Sequence, residues 1–180
     1  MKGIKLHNTE FKPYISNRII QRAVGHMAED ITRDLGKQNP LFLAVLNGSF
    51  IFAADLMRSL DFNCNISFVK LESYSGTKSK GTVKSLIGLN ENIKNRTVVI
   101  VEDIVDSGNT IEMLVAELKK YKPTSVHVAT LFFKPDVYKK KIRIDYRGIE
   151  IPNDFIVGYG LDYDGLGRNL KDVYIINSKK

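Results

Sequence analysis

Two uninterrupted apolar runs most constrain the fold of this chain. Residues Leu41–Leu46 read LFLAVL and residues 98–101 read VVIV. Runs without polar alternation are typical of strands that are buried on both faces, as in a parallel sheet. Each run leads into a short polar turn, and a segment with helical periodicity follows. The sequence therefore predicts an α/β fold, with a central, mostly parallel, twisted sheet flanked by helices.

Hydrophobic periodicity and turn residues predict the remaining elements. Helices are expected at 16–35, 50–60 and 110–121, and further strands at 66–71, 83–89, 126–133, 155–159 and 173–176. In the first helix, residues four apart are expected to face the core: Ile19, Ala23, Met27, Ile31 and Leu35. The polar segment 73–84 contains glycines and lysines, and we expect it to be a mobile loop. A chain of 180 residues suits a single domain.

Composition narrows the function classes. Hydrophobic content of 43% and charged content of 26% indicate a globular protein. Cys64 is the only cysteine, so a disulfide within the chain and a two-cysteine metal site are excluded, and a reducing, cytoplasmic setting fits best. We expect no signal peptide and no membrane span. The net charge of +7 favours a polyanionic partner, namely nucleic acid, an acidic membrane or a phosphorylated small molecule, without choosing among them.

The stretch VVIVEDIVDSGNT, residues 98–110, carries the most chemistry. Its second half links a buried strand to a helix. Gly108 permits a tight turn, while Ser107 and Thr110 supply hydroxyl groups. Free backbone N–H groups at the start of a helix can bind a phosphate. We therefore expect an anion site at this turn.

Three carboxylates stand at the end of the same strand. Glu102, Asp103 and Asp106 repel one another unless cations or hydroxyl donors offset their charge. A ribose and Mg²⁺ would do so, because Mg²⁺ is bound by one or two carboxylates together with substrate phosphates. Asp106 lies at the turn and could serve as a general base. For Asp106 alone, a helix cap explains the residue equally well.

The whole stretch resembles the phosphoribosyl-diphosphate signature of type I phosphoribosyltransferases, and it is most similar to the hypoxanthine-guanine branch of that family. The resemblance runs from about residue 41 to residue 176. It implies the type I fold, with a small hood from the N-terminal and C-terminal segments and a mobile lid. It also implies an enzyme of purine salvage that converts hypoxanthine, and guanine, with 5-phosphoribosyl-1-diphosphate to IMP or GMP and diphosphate.

The resemblance assigns roles to the carboxylates and the turn. Glu102 and Asp103 would bind the ribose 2- and 3-hydroxyls, directly or through Mg²⁺. Asp106 would lie near purine N7 as general base or acid. The 5-phosphate would be held by the turn, whose residues are Asp106, Ser107, Gly108, Asn109 and Thr110.

The resemblance assigns the purine site to later residues. Lys134 would donate to the purine 6-oxygen, and Phe155 would stack on the base. The backbone of Ile156 or Val157 would meet the purine edge. Asp162, beside the purine, would face a second Mg²⁺ near the diphosphate.

The diphosphate and the lid complete the implied site. Arg168 would contact the diphosphate, and Asn47 and Gly48 would form its binding loop, often held by a cis peptide that is not at proline. Ser73 and Tyr74 would sit on the lid. Asn47 departs from the family pattern, because many relatives carry Lys or Arg there. A cationic contribution from that side chain, including one to contacts between subunits, is therefore not expected.

Without the resemblance, these residues support their roles to different degrees. Lys134 ends an apolar strand, and an ammonium there favours a 6-oxo purine because it donates and cannot accept. A surface lysine remains the alternative. Phe155 could be a core residue, Asp162 a turn residue and Arg168 a surface residue. The run 139–141, three lysines, is expected to be a solvated face.

Other functions stay open at this point. A regulator that binds RNA or DNA could share the fold, and the positive charge would suit it, although the purine-edge residues are all present here. An enzyme for orotate, adenine or uracil is chemically close, but Lys134 and the segment DFIVGYGLD argue against it. The resemblance further implies homodimers or homotetramers, while nucleic acid and membranes are not expected partners.

Overall fold

The computed structural model describes residues 2–73 and 84–177, and in these residues the chain forms three helices and ten strands. The helices are α1 (Asn17–Leu35), α2 (Phe50–Ser59) and α3 (Asn109–Lys119). The strands are β1 (Ile4–Leu6), β2 (Thr9–Ile15), β3 (Leu41–Leu46), β4 (Asn65–Ser73), β5 (Lys84–Ile87), β6 (Thr97–Val105), β7 (Ser125–Phe133), β8 (Tyr146–Glu150), β9 (Ile156–Val157) and β10 (Val173–Ile176).

The central sheet has the strand order β5-β4-β3-β6-β7-β8. Strands β4, β3, β6, β7 and β8 are parallel, and β5 is an antiparallel edge. Alternate residues of β3 face opposite sides: Phe42 packs with α1 and α2, whereas Leu43 packs with α3. Both side chains are fully buried. The predicted α/β fold with helices on both faces is confirmed.

A second, antiparallel sheet has the order β1-β2-β10-β9. It joins the N-terminal segment to the late strands of the chain, and its small core is built from Phe11, Val157 and Tyr174. Strand β9 immediately follows Phe155, so this sheet reaches the segment for which the sequence predicts purine contacts.

Several predicted bounds change in the structure. Strand β3 has its predicted limits, but β6 extends to Val105, so Glu102 and Asp103 lie inside the strand and not after it. Strands β1, β2 and β8 were not predicted. Short strands that contain Pro13 or Gly148 give weak patterns, because neither residue favours a strand interior.

The buried face of α1 also differs from its prediction. Ile19 is 51% exposed, and the buried residues are Ile20, Val24, Met27, Ala28, Ile31 and Leu35. In a helix of 3.6 residues per turn, residues four apart are rotated by about 40° from one to the next. A row of such residues therefore cannot stay on the core face along the whole helix. The predicted loop 73–84 falls mostly outside the described residues, as does the lid residue Tyr74, while Ser73 ends β4.

None of the helices in the described part of the chain combines the length and the apolar character that a membrane crossing requires.

Candidate active site

The carboxyl ends of three neighbouring strands bring the predicted site residues to one edge of the sheet. Asn47 and Gly48 follow β3, Asp106 follows β6, and Lys134 follows β7. The peptide bond Leu46–Asn47 is cis, as the resemblance implies. Ligands of open α/β sheets bind at this edge.

The turn between β6 and α3 encloses a cavity of about 80 Å³. Gly108 has φ 83°, a conformation that favours glycine, and α3 begins at the next residue. The cavity is lined by Glu102 and by the residues from Ile104 to Ile111. The predicted turn residues therefore surround one small space at a helix N-terminus, which suits a phosphate.

The segment that contains Tyr138 and Lys140 packs against this turn. A Cβ atom on Gly108 would lie 2.4 Å from the ring of Tyr138 and 2.8 Å from Cγ of Lys140. The Lys140 ammonium is 2.7 Å from the Glu112 carboxylate, and only 22% of its side chain is exposed. The prediction of a solvated face at 139–141 is therefore wrong for Lys140, because its stem packs against the turn.

Glu102 and Asp103 are buried carboxylates, 8% and 9% exposed. Burial, with the charge of Asp103 next to it, raises the pKa of Glu102 well above its ordinary value. Burial raises the pKa of Asp103 to about 6, opposed by hydrogen bonds from the backbone N–H groups of Ile104 and Asp103 and by the positive charge of Arg168. Burial therefore favours the protonated form of both acids, and a cation or hydroxyl donors at the site would favour their ionised forms.

The diphosphate-loop candidate lies directly against Asp103. A Cβ atom on Gly48 would fall 1.7 Å from Oδ2 of Asp103, so only a glycine fits there without displacement. Gly160 approaches the same loop from the other side: its Cβ position is 2.1 Å from the carbonyl oxygen of Gly48. The loop is therefore held between a carboxylate and a second backbone segment.

Lys134 and Asp106 form an ion pair at the mouth of the site. Nζ of Lys134 lies 3.1 Å from Oδ2 of Asp106 and 3.3 Å from Oδ1 of Asn153. The lysine side chain is 8% exposed, whereas that of Asp106 is 52% exposed. The predicted base and the predicted 6-oxygen donor are thus neighbours, and Lys134 is not a surface lysine.

The segment from 155 to 168 completes the site. Phe155 is 46% exposed and meets Tyr163 edge to face at 5.7 Å, so it is not a core residue. Ile156 and Val157 are buried in β9. Arg168 donates to the Gly160 carbonyl at 2.7 Å and pairs with Asp162 at 2.7 Å.

A family model described as the phosphoribosyl transferase domain matches residues 13–164. The chain belongs to the phosphoribosyltransferase family. Among its curated relatives, the hypoxanthine-guanine phosphoribosyltransferase of Streptococcus pyogenes serotype M3 is 42% identical over 167 residues, which is 92% of each chain. The bifunctional protein TilS/HprT of Listeria monocytogenes is 38% identical over 172 residues, covering 95% of this chain and 26% of that protein.

Solved structures agree with the family. The crystal structure of a hypoxanthine-guanine phosphoribosyltransferase from Bacillus anthracis has a TM-score of 0.83 and 36% identity, over 94% of this chain and 99% of that chain. A hypoxanthine phosphoribosyl transferase from Trypanosoma cruzi has a TM-score of 0.83 and 28% identity, over 96% and 94% of the two chains. The resemblance to the type I phosphoribosyltransferase fold is confirmed.

The carboxylates of this phosphoribosyltransferase fit a Mg²⁺ ion whose remaining ligands are substrate phosphates. Among the described residues, no three His, Cys, Asp or Glu side chains are grouped to hold a metal by themselves. Glu102, however, has a buried Oε2 without a hydrogen-bond partner in the described part of the chain. A metal held by one or two carboxylates and by substrate phosphates needs no larger protein cluster.

Some side-chain contacts at and around the site were not predicted from the sequence. Asn153 accepts a hydrogen bond from Lys134, and Tyr159 donates one to Asp55 on α2. Asp55 is far from any motif in the chain. Tyr159 lies between two glycines, and this pattern predicts a turn. The pattern does not predict that its hydroxyl binds Asp55.

Proposed function

We propose that this phosphoribosyltransferase is a purine-salvage enzyme that joins hypoxanthine or guanine to 5-phosphoribosyl-1-diphosphate, giving IMP or GMP and diphosphate. The observation that carries the proposal is the buried ammonium of Lys134 next to Asp106, beside a phosphate-sized cavity. An ammonium has only donors, so it selects a 6-oxygen over a 6-amino group. The similarity to hypoxanthine-guanine phosphoribosyltransferases of Streptococcus pyogenes and Bacillus anthracis supports the same purines.

The base would displace Asp106 from its contact with Lys134. Lys134 then donates to the 6-oxygen, while the Asp106 carboxylate faces N7 and takes the proton that leaves the base. Purine N9 bonds to the anomeric carbon as the bond from that carbon to the diphosphate breaks. The sugar passes through an oxocarbenium-like state, as in glycosyl transfer generally. Phe155 would form the stacking face, and the Ile156 or Val157 backbone would meet the purine edge.

The donor would lie along the carboxyl edge of the sheet. The turn from Asp106 to Thr110 would hold the 5-phosphate, and Glu102 and Asp103 would bind the ribose hydroxyls. The Asn47–Gly48 backbone and Arg168 would hold the diphosphate. When bound, Mg²⁺ would neutralise the leaving diphosphate, with Glu102, Asp103 and Asp162 as its candidate residues.

The second sheet and the segment around Ser73 and Tyr74 would complete a single-domain enzyme. We assign the hood to the antiparallel sheet, because β9 leads from Phe155 into it. We assign the lid to the segment 73–84, whose glycines and lysines suit closure over a polyanion. Closure would exclude water and suppress hydrolysis of the donor.

The test is steady-state turnover with Mg²⁺ and the donor, with hypoxanthine, guanine, xanthine and adenine offered in parallel. We expect turnover of hypoxanthine and guanine, with adenine inert. Turnover of adenine alone would refute the role of Lys134. Donor binding without turnover of any base would refute the enzyme and favour the nucleic-acid-binding regulator.

We further propose a cytoplasmic homodimer or homotetramer. The lone Cys64 suits a reducing compartment, and the family implies oligomers. Light scattering coupled to size-exclusion chromatography tests the assembly, and a monomer across the working concentration range would refute it. Cell fractionation tests the compartment.

A further inference from the structure

Tyr159 is a buried residue with an unusual backbone conformation. It is 2% exposed, and its φ is 51°. Its two neighbours in the chain, Gly158 (φ 108°) and Gly160 (φ 99°), also have positive φ angles. A residue other than glycine in this region costs free energy, and it persists where the surroundings hold it. Burial raises the pKa of the Tyr159 phenol far above its ordinary value, so the hydroxyl keeps its proton and acts as a donor.

Contacts with α2, with α1 and with the loop at Leu170 hold Tyr159 in place, and the α1 contact is a hydrogen bond of 3.4 Å from the Gln21 amide to the Tyr159 hydroxyl. Its hydroxyl donates to Oδ2 of Asp55 on α2 at 2.6 Å. Gln21 on α1 donates to the same oxygen at 2.6 Å. The backbone N–H of Tyr159 donates to the carbonyl of Leu170 at 2.8 Å. The hydrogen bond to a carboxylate is of the strong kind, because the acceptor is charged.

The same bond joins the two halves of the candidate diphosphate site. Helix α2, which carries Asp55, begins at Phe50, directly after the loop that contains Gly48. On the other side of the bond, Gly160 follows Tyr159, touches the Gly48 carbonyl and accepts a hydrogen bond from Arg168. The loop and Arg168 are therefore linked through a short path that includes the Tyr159–Asp55 contact.

We propose that the hydrogen bond from Tyr159 to Asp55 positions the segment 158–162 and Arg168 against the loop at Gly48, and thereby sets the affinity for the diphosphate end of the donor. The inference rests on the proposed function, which assigns that loop and Arg168 to the diphosphate. Tyr159 is a positioning residue, because it is buried and acts through Gly160 and Arg168. Phe155 and Lys134 lie on the purine side and are not part of this path.

The test is Tyr159→Phe, which removes only the hydroxyl and leaves the backbone preference unchanged. The matched control is Tyr146→Phe, since Tyr146 is 7% exposed and also donates to a carboxylate, that of Asp34, but lies at the amino end of β8. We expect Tyr159→Phe to raise the donor KM about fivefold. This is less than the full contribution of a hydrogen bond to a charged group, because the bond exists before the donor binds and only its effect on the position of Gly160 and Arg168 is lost. The control should stay within about twofold of wild type.

Two further readouts separate positioning from loss of stability. In Tyr159→Phe, kcat at saturating donor and the purine KM should stay within about twofold of wild type, while the Kd for Mg²⁺-diphosphate rises with the donor KM. A lower Tm with an unchanged donor KM would overturn the inference. If the wild-type protein turns over no purine, the proposed function is refuted. The role of Tyr159 is still tested in that case, because the Kd for Mg²⁺-diphosphate can be compared between the wild type and Tyr159→Phe.

A double-mutant cycle tests the pair itself. Asp55→Ala should raise the donor KM, and adding it to Tyr159→Phe should raise the KM little further, because both changes remove the same contact. Asp55→Asn keeps an oxygen acceptor and should restore part of the affinity that Asp55→Ala loses. Fully additive effects of the two single substitutions would show that Tyr159 and Asp55 act independently, and would overturn the proposal.

Discussion

The ammonium of Lys134 and the carboxylate of Asp106 are 3.1 Å apart, and each comes from the carboxyl end of a different strand. Before a base binds, each group satisfies the charge of the other. A 6-oxopurine offers an oxygen to the lysine and a proton to the carboxylate, so it can replace both halves of the pair. A 6-aminopurine presents a donor to Lys134, whose ammonium has no acceptor.

Asp106→Asn should lower kcat by about 10²–10⁴, the usual contribution of a general base, and leave the donor KM nearly unchanged. The amide oxygen of Asn can still accept from Lys134, so the local structure should persist. Steady-state kinetics with both substrates varied measures both constants. Asp136→Asn, at an exposed position, is the control. Loss of donor affinity with unchanged kcat would show that Asp106 is not the base.

Lys134→Gln should raise the purine KM about tenfold or more, since a hydrogen bond from a charged donor is lost. The donor KM should change little. The preference for hypoxanthine over adenine should also shrink, because an amide side chain can accept as well as donate. Parallel assays with the two bases measure this preference, with exposed Lys139→Gln as the control. An unchanged purine KM would contradict the role of Lys134.

The sequence predicts the parts of this site that lie in contiguous motifs. The apolar run of β3 and the turn after β6 were both recognised, because burial on two faces and a glycine turn leave local patterns. The length of β6 was not predicted correctly, because the strand was expected to end before its first acidic residues. Glu102 and Asp103 continue it because β6 pairs with β7 as far as Val105 and Phe133.

Contacts between segments that are distant in the chain leave no pattern in the sequence like that of a contiguous motif. Tyr159 and Asp55 are 104 positions apart, and neither belongs to a recognisable motif with the other. Strand β8 contains Gly148, and a Cβ atom there would lie 2.7 Å from the Leu131 carbonyl oxygen in β7. The close packing of β7 and β8 therefore requires glycine, although glycine is disfavoured in strands. Tertiary contacts decide such positions.

Stability without ligands should fall as the pH rises. Burial raises the pKa of Asp103 from 3.8 to about 6 and raises that of Glu102 well above its ordinary value, so the folded protein holds protons that the unfolded chain has released. The unfolding free energy therefore decreases as pH rises from about 4 through 6 and beyond. Glu102→Gln should raise the Tm at pH 7.5 and flatten this dependence, as thermal unfolding across pH 5–8 would measure.

Ligands should oppose the fall of stability with rising pH. Mg²⁺ and ribose hydroxyls bind the ionised carboxylates, so the Tm increase given by Mg²⁺ with the donor should be larger at pH 7.5 than at pH 5.5. Binding near pH 6 should release protons, which calorimetry in two buffers of different ionisation enthalpy detects. An equal Tm increase at both pH values would show that Glu102 and Asp103 do not contact the ligands.

Gly48→Ala should nearly abolish donor binding. A Cβ atom there would fall 1.7 Å from the Asp103 carboxylate, and the loop is held on its other side by Gly160, so neither neighbour can yield without moving the site. The matched control is Gly25→Ala on α1, where a Cβ atom would meet nothing within 4 Å. The control should stabilise the protein by about 0.5–1 kcal/mol, the usual gain for alanine in a helix, with unchanged kinetics. Donor titration and thermal unfolding of both variants measure the two effects, and a Gly48→Ala protein with wild-type donor affinity would show that the loop at Gly48 can move freely without affecting the donor.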